Sequence, residues 1–272
     1  WGCSDPAQMS WLDQPPAVNL QAAKRLLRML GALDGERLSA QGQKMAALGN
    51  DPRLAAMLVS AKSDDEAATA AKIAAILEEP PRMGNSDLGV AFSRNQPAWQ
   101  QRSQQLLKRL NVRGGEADSS LIAPLLAGAY ADRIARRRGQ DGRYQLANGM
   151  GAMLDADDAL SRHEWLIAPL LLQGSASPDA RILLALPVDI DELVQRCPQL
   201  VQQSDTVEWD DAQGTLKAWR RLQIGQLTVK VQPLAKPSED ELHQAMLNGI
   251  RDKGLSVLNW TAEAEQLRLR LL

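Results

Sequence analysis

Arg133, Arg136, Arg137, Arg138 and Arg143 lie within eleven residues, opposed only by Asp141. Five arginines less one aspartate give the stretch a charge of +4, against −2 for the whole chain. Cations this concentrated suit phosphate oxygens, because neutralising phosphates releases condensed counterions. Tyr130 and Tyr144 flank the run, and phenol rings stack on unpaired bases. A solvated loop whose arginines bridge acidic neighbours accounts for the same residues. A second basic and aromatic group is Lys217, Trp219 and Arg221. If Thr215–Leu222 is a strand, period two places all three on one face, which suits single-stranded nucleic acid. A tryptophan closing the end of a barrel, with the charges as its wet rim, fits equally. Arg53, in Asp51-Pro52-Arg53, is placed either to reach a nucleic acid or to pair with a local acid. Asp155, Asp157, Asp158 and Glu164 read as a turn and capping region, or as the repelling edge of a nucleic-acid track. His163, beside Trp165, reads as a loop residue rather than a ligand.

Other chemistry is missing. The chain has no Gly-Lys dipeptide, hence no phosphate-binding loop of the Walker type. It has no dinucleotide fingerprint after a strand and no G-x-S-x-G elbow. Two histidines, His163 and His243, and two distant cysteines, Cys3 and Cys197, supply no metal-ligand spacing and no disulfide framework. Both thiols read as reduced. Asp240-Glu241-Leu242-His243 matches the letters of a nucleotide-hydrolysis box. Its context is instead Pro237-Ser238-Glu239, and Ser238 with Glu241 spells a helix-opening capping box. No catalytic residue and no metal ligand is therefore expected.

With 272 residues, 44% hydrophobic and 24% charged, and a mean hydropathy of −0.29, the chain reads as a globular protein of roughly two domains without a membrane span. The chain opens on Trp1 and closes on an uncapped amphipathic run, so both ends read as cut from a longer protein. The first half is helical. Apolar Leu20, Ala23, Leu27 and Leu30 form one stripe after Pro15-Pro16. Ser39 opens a helix through Leu48, and Asp51-Pro52 opens another to about Ala61. Ser63 and Glu66 form a capping box for a helix that stops at Pro80-Pro81. Residues 82–96 read as a loop, Pro97 to Asn111 as a helix, and Ser119 to Ala129 as a last helix with an irregularity at Pro124. Beyond residue 130 the period changes. Arg143–Ala147, Trp165–Leu172, Arg181–Val188, Thr206–Trp209, Thr215–Leu222 and Leu227–Leu234 read as strands of a small antiparallel barrel or sandwich. Asp189–Arg196 is expected as a helix and residues 238–272 as mainly helical.

The helical segments also carry an order. Leu12-Asp13-Gln14-Pro15-Pro16, Leu30-Gly31-Ala32-Leu33, Leu38-Ser39-Ala40-Gln41-Gly42-Gln43-Lys44-Met45 and Asp51-Pro52-Arg53-Leu54-Ala55-Ala56-Met57-Leu58 resemble the region that follows the two motor domains of DEAH/DExH-box helicases. The likeness covers about residues 10–80. It resumes between Leu121 and Trp165, where Ala127–Ala135 and Tyr144 resemble the entry to that family's OB-like domain. Asp87-Leu88-Gly89 and Trp219-Arg220-Arg221-Leu222-Gln223-Ile224-Gly225 are similar to the HrpB-type bacterial ATP-dependent RNA helicases. The resemblance implies an α+β fold in five parts. A linker from the motor domains (1–16) is followed by a winged helix (17–50), a helical ratchet bundle (51–118), an OB-like antiparallel β-barrel (119–235) and the start of a truncated C-terminal extension (236–272). It implies RNA, single-stranded, as partner, held by Tyr130, Arg133, Arg136, Arg137, Arg138, Arg143, Tyr144, Lys217, Trp219 and Arg221. It further implies intramolecular motor domains that supply ATP and Mg outside this chain, no cofactor within it, and a cytoplasmic setting. The rival reading is a stand-alone winged-helix regulator of duplex DNA. Its recognition helix would be Ser39–Leu48, where Lys44 is the lone cation.

Overall fold

The computed structural model describes residues 9–49, 51–81, 86–139, 142–174, 177–210, 215–254 and 261–271. Of the features read from the sequence, Cys3, Asp141 and the turn 211–214 lie outside them. The chain forms two compact units, residues 1–200 with 224–227, and residues 201–223 with 228–272. Helices and sheets are mixed, and one sheet closes into a five-stranded barrel.

The first unit begins with α1 (Ala17–Met29), a hairpin of β1 (Leu33–Asp34) and β2 (Arg37–Leu38), and α2 (Ala40–Leu48). Gly35 turns the hairpin with φ of +61°, a conformation that costs glycine little. Ser39 caps α2 by accepting from the Gly42 N–H at 2.9 Å. Asp51 likewise caps α3 (Pro52–Val59), accepting from Arg53 N at 2.7 Å. Of the capping box expected at α4 (Asp64–Glu78), half forms. Ser63 accepts from Glu66 N at 3.1 Å, but the Glu66 carboxylate turns to the Lys62 N–H at 2.6 Å. α4 is the centre of the helical body. Its run of alanines, with Ile73 and Ile76, is buried on several sides, and such small side chains let α3, α6 and α7 approach it closely.

Residues 82–96 were expected as a loop. The described part holds a short helix, α5 (Leu88–Ser93), started by the Asp87 carboxylate, which accepts from Gly89 N at 2.7 Å. Burial of Leu88, Ala91 and Phe92 supports it. α6 (Pro97–Arg109) follows, anchored by the buried Trp99, whose indole N–H donates to the Glu79 carbonyl at 2.9 Å. A 3-10 turn at Ser119–Leu121 leads into α7 (Ile122–Ala129). Pro124 sits in the first turn of α7, where its missing N–H leaves no bond unmade.

The barrel comprises β3 (Ile134–Arg137), β4 (Arg143–Leu146), β5 (Gly151–Met153), β6 (Trp165–Leu172) and β7 (Ala180–Pro187), in the order β3-β4-β5-β7-β6 with β6 closing on β3. Strands β3 and β5 were not foreseen, because both are too short to show a period. The expected purely antiparallel barrel is corrected in one place: β5 and β7 pair in parallel, Ala152 opposite Ala180. Ala135, Tyr144, Leu146, Ala152, Leu166, Ala168 and Ile182 fill its interior. α8 (Ile190–Arg196), capped by Asp189, follows the barrel.

The strands after Leu200 do not join the barrel, which differs from the expectation of a single barrel over 119–235. β8 (Gln202–Asp210), β9 (Thr215–Ile224) and β10 (Leu227–Pro233) form a sheet of their own, ordered β10-β9-β8. In the second unit α9 (Glu239–Lys253) packs on β8, with Gly249 against the Trp209 ring. The capping box of Ser238 and Glu241 is present at the start of α9, so the residues spelling a hydrolysis box occupy a helix N-terminus. α10 (Ala262–Leu271) completes the described chain. Among the described residues no helix is long and apolar enough to cross a membrane, and no group of three or more His, Cys, Asp or Glu is placed to hold a metal ion.

Candidate nucleic-acid interface

β3 carries the arginines, and its pleat separates them. Arg136 is opposite Gln145 and Trp165, while Arg137 is opposite Tyr144, so neighbours in sequence stand on opposite faces. Arg136 pairs with Glu164 at 3.1 Å and lies 5.2 Å from the Trp165 ring centroid. Arg137 is exposed, donates to the Arg162 carbonyl at 3.0 Å and meets no carboxylate among the described residues. Arg138 and Arg143, on either side of the β3–β4 connection, share Asp179 at 3.0 and 3.1 Å. The Asp179 side chain is 8% exposed, whereas the Arg138 and Arg143 side chains are 49% and 55% exposed. A buried carboxylate thus holds two outward cations side by side. Among the described residues, Arg136, Arg138 and Arg143 pair with Glu164 and Asp179, while Arg137 meets a carbonyl.

Asp179 was missed by sequence reading. It lies 41 residues from Arg138 and 36 from Arg143, and only the parallel β5–β7 pairing brings it there. The close approach also explains Gly151. A Cβ at that position would collide with the Asp179 carboxylate and crowd the Arg138 guanidinium. Gly151→Ala is therefore expected to cost about 1–3 kcal/mol and to loosen both arginines, measurable by chemical denaturation.

Arg133 parts from the cluster. It precedes β3 in a 3-10 turn, donates to the Pro169 carbonyl and lies 5.6 Å from the Tyr130 ring centroid. Burial pushes its guanidinium below the ordinary arginine value, and neighbouring Arg53 adds to this. Tyr130 is 3% exposed, with Arg53 on its ring at 5.1 Å. Burial first, then the nearby Asp51, raises its phenol well above the ordinary value. Tyr144 is wholly buried in the barrel, its single hydroxyl proton shared between the Leu160 and His163 carbonyls at 2.8 and 2.9 Å. Neither ring presents a face to a base, which corrects their expected stacking role: each is large enough that the core claimed it. Arg53 finds an acid that is not local, making two bonds to Asp132 at 2.7 and 2.8 Å.

The acidic stretch does what turns require. Asp158 caps the 3-10 turn Ala159–Arg162, accepting from Leu160 N at 2.8 Å, and takes a bond from Ser86 Oγ at 2.6 Å. Asp155 pairs with Arg181 at 2.6 Å. His163 is exposed.

In the second unit, Lys217, Trp219 and Arg221 do share one face of β9, as period two requires. Across the strand Lys217 pairs with Asp210, and Arg221 with Glu208 at 3.3 Å. On the other face Arg220 grips Asp205 through two bonds at 2.9 and 2.8 Å. That hydrogen bonding holds the Asp205 carboxyl below its usual range. Each cation here is matched by its own acid, unlike the barrel rim.

Comparison with known proteins agrees with the resemblance. The family model for the connector region of the ATP-dependent RNA helicase HrpB matches residues 200–234, a span that brackets the three-stranded sheet. The chain is 97% identical over all 272 residues to the ATP-dependent RNA helicase HrpB of Escherichia coli K12, and covers 34% of that protein. Among solved structures, the E. coli DExH-box NTPase HrpB matches over the whole chain with a TM-score of 0.84 at 97% identity. The E. coli DEAH/RHA helicase HrpB matches with a TM-score of 0.81 at 92% identity. The chain covers 34% of each of those chains. The chain is thus similar from end to end to HrpB-type sequences, about a third of whose length it spans.

Proposed function

We propose that this chain is a non-catalytic, RNA-binding region of an ATP-dependent DExH-type RNA helicase. In this reading it guides single-stranded RNA for motor domains that lie outside it, where ATP and Mg would be bound, in the cytoplasm. The helices of the first unit would correspond to the winged helix and ratchet bundle, and the barrel to the OB-like domain. The observation that carries the reading is the barrel rim, where Arg138 and Arg143 stand exposed on the buried Asp179 and the exposed Arg137 meets only a carbonyl among the described residues. Exposed guanidiniums held by a buried acid suit backbone phosphates. Two groups in the expected set make weaker contributions. Tyr144 supports the barrel from inside, Tyr130 is buried at the end of α7 beside Arg53 and Arg133, and Lys217, Trp219 and Arg221 form a face whose charges are internally balanced. The duplex-DNA regulator gains nothing from α2, which buries Gly42, Met45 and Leu48 and exposes Lys44 as its one cation.

The test is fluorescence anisotropy with a labelled single-stranded oligoribonucleotide across a salt series. Arg136→Ala, Arg137→Ala and Arg138→Ala combined are expected to lower the salt slope by about 2–3 and to weaken binding at low salt. An unchanged slope would count against the rim. Stronger binding to duplex DNA than to the RNA would favour the regulator.

A further inference from the structure

A groove of about 390 Å³ lies between α4 and α6 in the helical body, within the roughly 300–1,000 Å³ range of small-molecule sites. Its lining is chemically one-sided. Lys72 comes from α4, Arg94 and Asn95 from the α5–α6 connection, Gln96 from the start of α6, and Gln100 and Gln104 from its exposed side. None of the lining residues is an aspartate or glutamate. Lys72 and Arg94 make no ion pair among the described residues, and the four amides make no side-chain hydrogen bond among them. Several other basic side chains of the first unit are met by carboxylates, as at Arg53–Asp132, Arg102–Glu78 and Arg138–Asp179.

Lys72 is the most telling of these groups. Its ammonium lies 4.4 Å from the Phe92 ring centroid, and burial lowers its pKa from the ordinary lysine value. A cation drawn partly out of water without a counter-charge gains from an anion that enters beside it. The amides add the second half of the chemistry. Asn and Gln side chains match the donor–acceptor edge of adenine, which offers N6 and N7 together.

We infer that the α4–α6 groove binds a nucleoside phosphate, with the phosphate held by Lys72 and Arg94 and the base met by Gln96, Gln100 and Gln104. The barrel rim plays no part in this site, so the two stand or fall separately. Equilibrium dialysis of the chain at low ionic strength, with AMP, adenosine and inorganic phosphate in separate arms, tests it. AMP is expected to bind saturably and roughly tenfold tighter than either part alone, because each part leaves half of the groove's polar groups unpaired. Lys72→Met, which keeps the stem over Phe92, and Arg94→Gln, at an exposed position, are each expected to weaken AMP binding about tenfold with no loss of thermal stability. Gln100→Ala with Gln104→Ala should erase the preference of AMP over phosphate. The combined barrel-rim alanines should leave AMP binding unchanged. A short oligoadenylate that competes with AMP identifies the natural source as a strand, and one that does not identifies it as free nucleotide; both outcomes support the site. Failure of AMP to saturate, equal binding of AMP and phosphate, or full affinity in the Lys72 and Arg94 variants would overturn it.

Discussion

Tyr144→Ala is expected to destabilise the barrel by about 3–5 kcal/mol, the range for deleting a buried aromatic ring. The ring is wholly buried among Ala135, Leu146, Ala152 and Leu160. Tyr144→Phe separates packing from hydrogen bonding. It keeps the ring but leaves the Leu160 and His163 carbonyls, now bonded at 2.8 and 2.9 Å, without their donor, at a cost of about 1–3 kcal/mol. Urea titration followed by circular dichroism reads both. Because the ring reaches no solvent, Tyr144→Phe should bind RNA like the parent, and a clear loss of affinity would restore a stacking role. Alkali offers a second check. Burial raises the phenol from 10.0 to about 12. A raised folded value means that the stabilisation is present below pH 10.0 and fades as pH climbs towards about 12. Tyr144→Phe should lack that part of the alkaline loss.

Asp132→Ala is the second large effect, about 3–5 kcal/mol. It leaves the Arg53 guanidinium, whose side chain is 9% exposed, without its carboxylate. The Asp132 side chain is 25% exposed, so water can partly replace it and the value should fall toward the lower end. Arg53 also donates to the Ala129 carbonyl at 2.9 Å and covers the Tyr130 ring at 5.1 Å. The bridge therefore joins α3, the end of α7 and the turn that feeds β3, the strand that carries the rim arginines. Replacing Arg53 by Met and Asp132 by Leu together should recover much of the loss, since apolar pairs often match buried ion pairs. A double-mutant cycle in urea measures the coupling. A loss no larger than that of an exposed ion pair, below about 1 kcal/mol, would show that the bridge does not organise this junction.

The rim and the junction of α3 with the barrel use charge in opposite ways. At the rim, cations stay exposed and one buried acid orients two of them. At the α3–barrel junction, a cation is itself buried and spent on structure. Identical residue types thus divide into those free to meet a phosphate and those that are not, and burial makes the division.

Local chemistry was legible in the sequence wherever few residues decide it. Ser39, Asp51 and Ser238 capped the helices they were expected to open, because a cap needs only a side-chain oxygen and the next two or three N–H groups. Long strands such as Trp165–Leu172 and Thr215–Ile224 showed their period, and the family likeness followed from ordered motifs rather than from any single one. The tertiary structure alone decided the rest. Strands of three or four residues, β3 and β5, carry too little pattern to be read, and their pairing is set by neighbours far along the chain. Whether a tyrosine stacks or packs, and whether an arginine meets phosphate or acid, depends on groups such as Asp179 and Asp132 that lie 36 to 79 residues away. Desolvation and Coulomb attraction act through space, so these roles became visible only once the barrel had closed.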